Sequence, residues 1–184
     1  MNRRAQQQGF SLTEVMVAVI VICIGLLGIA KMQALALSNS STARMRSLAA
    51  IEAASLASVM HSNRNYWGSA SPPAATTLVA GVVTSTDAAL QAQVGAANCF
   101  NATCTPVMLA GFDLNRWVQS LQAALPNPSA TIACPPAPNA PVACTIMVRW
   151  SEKAVAAASQ EVGAINAMVV GSGLTLDYVL YVEP

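Results

Sequence analysis

The sequence has little charge, few aromatic residues and a single histidine. Lysine, arginine, aspartate and glutamate together make up 9% of the 184 residues, against roughly 25% in average globular proteins. The net charge of +1 provides no long-range field to attract nucleic acid or acidic lipids, although a short local cluster could still do so. The length allows one domain with a core plus an appendage, and is too short for two ordinary domains.

The residue patterns that mark common active sites are also missing. No serine lies in a Gly-x-Ser-x-Gly turn, and no glycine-rich loop could hold a phosphate. His61 is expected to be a solvated residue on a helix. Asp87 and Asp177 occur singly, as does Asp113, which we expect to pair with Arg116 or to cap a helix. The sequence therefore predicts no enzyme, no catalytic residue and no cofactor.

Cysteine is scarce and unevenly distributed. Of the five, Cys23 lies in an apolar run, and the other four lie in the C-terminal half: Cys99, Cys104, Cys134 and Cys144. An even set indicates disulfides if that half reaches an oxidising compartment, and four cysteines allow three connectivities. We favour Cys99–Cys104 and Cys134–Cys144 because each pair is close in sequence. A zinc site is the rival interpretation, but the sequence lacks Cys-x-x-Cys spacing with a histidine, so no metal is expected.

A long apolar run lies close to the N-terminus. Residues 15–30 carry no charge, and residues 10–30 would span roughly 30 Å as a helix, the thickness of a hydrocarbon core. Arg3 and Arg4 precede the run and favour a cytoplasmic N-terminus. Glu14 lies near its start, where a carboxylate without a partner costs on the order of a few kcal/mol. A plain signal anchor does not explain Glu14, and a secretory signal would be shorter and end at a small-residue cleavage site.

The segment GFSLTEVMVAVIVICIGLLGIA, residues 9–30, resembles the class III signal of type IV prepilins and pseudopilins. In that signal a short basic leader ends in glycine, the mature chain begins with phenylalanine, and a carboxylate follows at the fifth mature position. The resemblance implies that prepilin peptidase cleaves after Gly9 and that Phe10 becomes N-methylated. It also implies that Glu14 neutralises the new amine, in its own chain or in a neighbour, and thereby registers one subunit against the next.

Helix formers without proline or glycine follow the apolar run, so we expect one helix from residue 10 to about residue 65. Its outer half carries an apolar stripe against which the rest of the chain should pack. The stripe consists of Met45, Leu48, Ala49, Leu56, Val59 and Met60. Glu52 falls within the stripe without an evident partner.

The C-terminal half predicts a second helix and three strands. Thr105 as N-cap and Pro106 at the first helical position predict a helix over residues 106–124. Strands are expected at residues 130–134, 143–150 and 174–184, which are rich in β-branched and aromatic residues. Together these elements predict an α+β fold, in which a small antiparallel sheet packs on the long N-terminal helix. This layout also resembles that of the type IV pilins.

These patterns divide the chain into five parts. Residues 1–9 are expected to be the leader peptide, residues 10–31 the membrane-spanning half of the long helix, and residues 32–66 its periplasmic half. Residues 67–98 are interpreted as a connecting loop with minor structure. Residues 99–184 are expected to form a globular head braced by disulfides.

Four short segments follow one another in the C-terminal half: CTP, FDLNRW, LP and CTIMVRW. Their succession resembles that of the minor pilins of the PilV type. This resemblance implies a structural subunit of the type IV pilus that supports pilus priming, twitching motility and adhesion. The implied partners are prepilin peptidase, other minor pilins, the major pilin and the inner membrane. The chain would cross that membrane once, with its head in the periplasm and later on the pilus or cell surface.

Two alternatives remain open at this point. One is a minor pseudopilin of type II secretion, which shares the N-terminal signal. The other is an anchored head that binds a ligand or DNA. Nucleic acid is not expected as a partner, because nothing in the sequence gathers the basic residues beyond the leader into one patch. They are Lys31, Arg44, Arg46, Arg64, Arg116, Arg149 and Lys153.

Overall fold

A computed structural model of the chain describes residues 11–69, 72–135, 141–152 and 174–184. The chain divides into two compact units, Met1–Ser41 and Thr42–Pro184. The longest element is helix α1 (Leu12–Ser62), which begins in the first unit and ends in the second. A five-stranded antiparallel sheet forms in the second unit. The α+β class expected from the sequence is therefore confirmed.

Helix α1 ends at Ser62, slightly before the expected end, because Asn63 leaves the helical conformation (φ −118°, ψ 53°). The side chain of Asn63 is buried, and its Nδ2 donates to the carbonyl oxygen of Pro106 at 2.8 Å. Asparagine readily exchanges helical hydrogen bonds for such side-chain contacts. A single further helical turn, α2 (Arg64–Trp67), follows Asn63.

Residues 67–98, interpreted from the sequence as a connecting loop with minor structure, contain three elements of the fold. They are β1 (Ala75–Val79), β2 (Val82–Ser85) and α3 (Ala88–Gln93). Ala80 and Gly81 join the two strands with positive φ angles of 50° and 83°, the backbone of a tight two-residue hairpin turn. The loop interpretation is corrected here: the strands are too short to show clear alternation, and Ala-Gly is a weak hairpin signal.

Helix α4 (Pro106–Ala124) has the bounds predicted from the sequence. Thr105 is its N-cap, and its side-chain oxygen accepts from the backbone N–H of Met108 at 3.4 Å. The helix stops before Leu125, which adopts an extended backbone in front of Pro126. A proline disfavours helical geometry in the residue before it, which explains the stop.

The three predicted strands are also confirmed, with ends shifted by at most two residues. They are β3 (Ser129–Ala133), β4 (Cys144–Glu152) and β5 (Leu174–Val182). The order across the sheet is β2-β1-β3-β4-β5, with antiparallel pairing throughout. The hairpin that the sequence did not reveal therefore supplies two of the five strands.

The core of the second unit lies between one face of the sheet, α4 and the outer half of α1. From α1, Ala49, Ala53, Leu56 and Met60 are buried, while Met45 and Leu48 pack partly against the core. This confirms the apolar stripe except for Val59, which is half-buried and is not among the side chains packed against the core. Large core side chains from α4 and the sheet include Leu114, Trp117, Leu121, Ile132, Ile146, Val148 and Trp150.

Glu52, which had no evident partner in sequence, contacts α4 through both its backbone and its side chain. Trp117 Nε1 donates to the carbonyl oxygen of Glu52 at 2.9 Å, and Ser120 Oγ donates to Glu52 Oε1 at 2.7 Å. These two hydrogen bonds fix the position of α4 along α1, since apolar packing alone is not directional.

Candidate functional site

The start of α1 holds the residues with the most specific sequence signal. Glu14 lies in the first turn, is exposed, and its backbone N–H donates to the carbonyl oxygen of Ser11 at 3.0 Å. A carboxylate is favoured at this end because the helix dipole places partial positive charge there. The predicted cleavage and methylation residues, Gly9 and Phe10, lie outside the described residues.

The rest of this segment presents an apolar surface on all sides. Every large apolar side chain from Leu12 to Ile29 is at least 52% exposed. These residues are Leu12, Val15, Met16, Val17, Val19, Ile20, Val21, Ile22, Ile24, Leu26, Leu27 and Ile29. Among the described residues, α1 is the one helix long and apolar enough to cross a membrane. A helix that is apolar all round requires lipid or other helices around it, which is consistent with membrane anchoring.

Small residues interrupt this apolar surface at two places. A Cβ added at Gly25 or at Gly28 would meet no atom of the chain within 4 Å. Both positions are thus open to close approach by another helix, as small residues in membrane helices often are. Cys23, between Glu14 and these glycines, is a free and exposed cysteine.

The second unit contains two disulfide bonds, with the pairings favoured from the sequence. Cys99 is bonded to Cys104, and Cys134 to Cys144. The first bond closes the loop in front of α4. The second joins the residue after β3 to the first residue of β4, and both of its cysteines are fully buried. Disulfides of this kind persist in oxidising compartments.

The scattered carboxylates have structural contacts. Asp87 caps α3: its Oδ1 accepts from the N–H of Ala89 at 2.8 Å, and its Oδ2 accepts from the hydroxyl of Tyr66. The hydrogen bond from Tyr66 lowers the pKa of the Asp87 carboxyl. Burial and the same contact raise the pKa of the Tyr66 hydroxyl. Asp177 forms an exposed ion pair with Arg149 at 3.8 Å.

Asp113 was expected to pair with Arg116 or to cap a helix, and it does neither. It lies inside α4, where burial raises the pKa of its carboxyl and the charge of Arg116 only partly offsets this. Arg116 instead extends over the rings of Phe100 and Phe112. His61 is exposed, as expected, and its Nδ1 lies 2.7 Å from the carbonyl oxygen of Ala57.

Two features of the structure had not been predicted from the sequence. One is the aromatic and arginine cluster around Phe100, whose only sequence signal is an aromatic residue inside a short Cys-to-Cys loop. The other is the side chain of Gln91, whose Oε1 accepts from the N–H of Ser85 at 2.7 Å and whose Nε2 donates to the carbonyl oxygen of Val83 at 3.0 Å. Gln91 thus covers the outer edge of β2 as a neighbouring strand would.

Comparison with known proteins identifies the N-terminal segment. The model of the prokaryotic N-terminal methylation motif matches residues 4–30. No curated protein and no solved structure matches the chain. The matched residues include Gly9, Phe10 and Glu14, and the motif supports a protein of the pilin or pseudopilin type, which suggests a structural rather than an enzymatic role.

Proposed function

Given this pilin-type N-terminus, we propose that the chain is a minor pilin of the PilV type, a structural subunit of the type IV pilus. The observation that carries the pilin-type part of the proposal is the methylation motif at residues 4–30, which runs into the apolar start of α1. The PilV type rests on the resemblance in the C-terminal half. The disulfide-braced α+β unit at Thr42–Pro184 is compatible with an extracytoplasmic head. In this role the protein supports pilus priming, twitching motility and adhesion.

In the proposed pathway the chain enters the inner membrane with Arg3 and Arg4 on the cytoplasmic side. Prepilin peptidase removes the leader after Gly9, and the new N-terminal Phe10 is methylated. The head lies in the periplasm, where disulfides form. Other minor pilins and the major pilin are the partners with which it then assembles.

Glu14 is the residue we assign to subunit registration. In an assembly of apolar helices its carboxylate would be desolvated, and the amine at Phe10 of a neighbouring subunit would supply the compensating charge. Removing one member of a buried charge pair costs about 3–5 kcal/mol. Glu14→Ala should therefore reduce incorporation into fibres strongly, while membrane insertion, which depends on the apolar residues, should be unchanged.

Mass spectrometry of the mature N-terminus from native membranes tests the proposal. The wild type should yield a peptide that begins with N-methylated Phe10, and Gly9→Ala should retain the leader. Glu14→Ala is the matched control that separates membrane insertion from assembly. It should be found in the membrane fraction at wild-type level, yet it should be depleted from sheared fibres. An intact leader in the wild type would contradict the proposal.

A minor pseudopilin of type II secretion is the second candidate, because the same motif supports it. The two roles differ in the machine that requires the protein. Deletion of the gene should abolish surface pili if the protein is a minor pilin. Loss of exoprotein secretion with normal piliation would favour the pseudopilin.

A further inference from the structure

Phe100, Phe112 and Arg116 form a surface cluster in the second unit. The two rings pack edge to face, with centroids 5.0 Å apart and planes at 88°. The guanidinium carbon of Arg116 lies 5.0 Å from the Phe100 centroid and 5.8 Å from that of Phe112. Phe100 is nevertheless 68% exposed. An aromatic surface and a cation are thus held side by side and remain accessible to solvent.

The cluster is held in place from two directions. The Cys99–Cys104 bond closes the loop that carries Phe100, and the N–H of Phe100 donates to Asn98 Oδ1 at 3.2 Å. Phe112 and Arg116 are four residues apart on α4 and therefore adjacent on its surface. Because these groups are already ordered, a ligand that binds them loses little free energy in ordering them.

Arg116 is exposed and forms no ion pair within the described residues, although its charge also acts on Asp113 one turn away on α4. In the described part of the chain no carboxylate lies within 4.0 Å of its guanidinium, and the ion pair found there joins Arg149 to Asp177. The nearest acid in sequence, Asp113, is half-buried in α4. A guanidinium offers several N–H donors in a planar fork that suits a carboxylate, and such charge-assisted hydrogen bonds are among the stronger ones.

The residues around Arg116 restrict the kind of anion that this side chain can bind. Residues 98–115 contain no basic residue, and the loop exposes uncharged side chains that form hydrogen bonds: Asn98, Asn101 and Thr103. A nucleic acid strand requires a series of cations along its phosphates. Within residues 98–116, Arg116 is the one cation, and it lies beside one exposed ring and several neutral polar side chains. This combination matches a sugar that carries a single carboxylate.

We propose that this cluster binds an acidic glycan built from uronic acid units. Phe100 contacts the apolar face of a sugar ring, Arg116 donates to a carboxylate, and the loop amides contact hydroxyl groups. The site is independent of membrane anchoring and of Glu14, so it adds a recognition function to the proposed structural one.

Isothermal titration of the full-length chain in detergent micelles tests the site, with a trimer of galacturonic acid as the probe and its methyl ester as the uncharged control. The wild type should bind the acid at least about tenfold more tightly than the ester, as a charge-assisted hydrogen bond implies. Arg116→Gln should bring this ratio to about one. Phe100→Ala should weaken binding of both probes. Phe100→Leu, which keeps apolar bulk, should bind both probes more tightly than Phe100→Ala but less tightly than the wild type.

Arg149→Gln is the matched control, because it removes an exposed arginine elsewhere on the second unit, and it should leave both affinities unchanged. Three results would overturn the proposal: no binding of the acid by the wild type, equal affinity for acid and ester, or equal damage from Arg149→Gln and Arg116→Gln. A fourth result, tighter binding of single-stranded DNA through Phe100 and Arg116, would also overturn it and assign the site to nucleic acid instead. None of these results affects the cleavage and assembly tests.

Discussion

The two disulfide bonds should contribute unequally to stability, although both close short loops. Cys134 and Cys144 are fully buried and join β3 to β4 in the middle of the sheet, whereas Cys99 and Cys104 are half-buried in a surface loop. The perturbation is the replacement of each pair by alanine in the full-length chain. Each double variant is the control for the other, because both remove one bond and two sulfur atoms.

The magnitudes follow from loop length and burial. The sequence separations are 10 residues for Cys134–Cys144 and 5 for Cys99–Cys104. In the chain-entropy model these loops correspond to about 2.7 and about 2.1 kcal/mol. Removing two fully buried sulfur atoms, each comparable to a methylene group, adds about 0.8 kcal/mol apiece for the first pair. We therefore expect a loss of about 4 kcal/mol from the buried pair and about 2 kcal/mol from the surface pair.

Urea unfolding in detergent, followed by tryptophan fluorescence, measures this difference. All three tryptophans, Trp67, Trp117 and Trp150, are at most 4% exposed and lie in the second unit, so the signal reports on that unit. Linear extrapolation gives the free energy of unfolding for each variant. Equal losses, or a larger loss from the Cys99 and Cys104 variant, would refute the reasoning from burial.

Three further predictions concern contacts that hold the second unit together. Gly111→Ala should destabilise it by about 1–3 kcal/mol in urea unfolding, since the added Cβ would lie 2.8 Å from a backbone carbon of α3. Gln91→Ala should speed hydrogen exchange at the Ser85 amide, and unchanged exchange would contradict the edge-covering role. The lowered pKa of Asp87 means that its stabilisation is present above the unfolded pKa of about 3.9 and lost as pH falls through the folded value. Tyr66→Phe should flatten this acid dependence of the unfolding free energy, and an unchanged profile would argue against the hydrogen bond as its cause.

The same stability argument is consistent with the oxidising compartment proposed for the head. Marginal domains have about 5–15 kcal/mol of unfolding free energy, so loss of both disulfides would remove a large share of it. The second unit should therefore fold well only in an oxidising environment. This agrees with the cytoplasmic N-terminus and the head on the opposite side of the membrane that Arg3 and Arg4 favour.

Signals within a few residues of sequence were enough to locate most elements. The apolar run predicted the first part of α1, and the Thr105 cap, Pro106 start and Pro126 stop predicted the bounds of α4. Glu14 could be singled out because it is the one charge between Arg4 and Lys31. In each case the cause is local: helix capping, proline geometry, or the cost of a charge beside apolar residues.

The hairpin of β1 and β2 lacked such a signal and was decided by the fold. Its strands are stable because β1 also pairs with β3, more than fifty residues further along the chain. Short strands depend on cross-strand partners rather than on intrinsic preference. The weak alternation within residues 75–85 therefore carried too little information to predict them.

The tertiary structure alone also decided which polar groups meet. Glu152 accepts from Thr42 Oγ1 and from Trp150 Nε1, each at 3.0 Å, and so connects β4 to α1 across 110 residues of sequence. Arg116 could have paired with Asp113 on its own helix but lies over Phe100 instead. Local composition determined where the helices form and which segment is apolar enough for a membrane. Contacts between distant residues determined the sheet order, the partners of the carboxylates and the exposed cluster, because a hydrogen bond or ring contact forms only where folding brings both groups together.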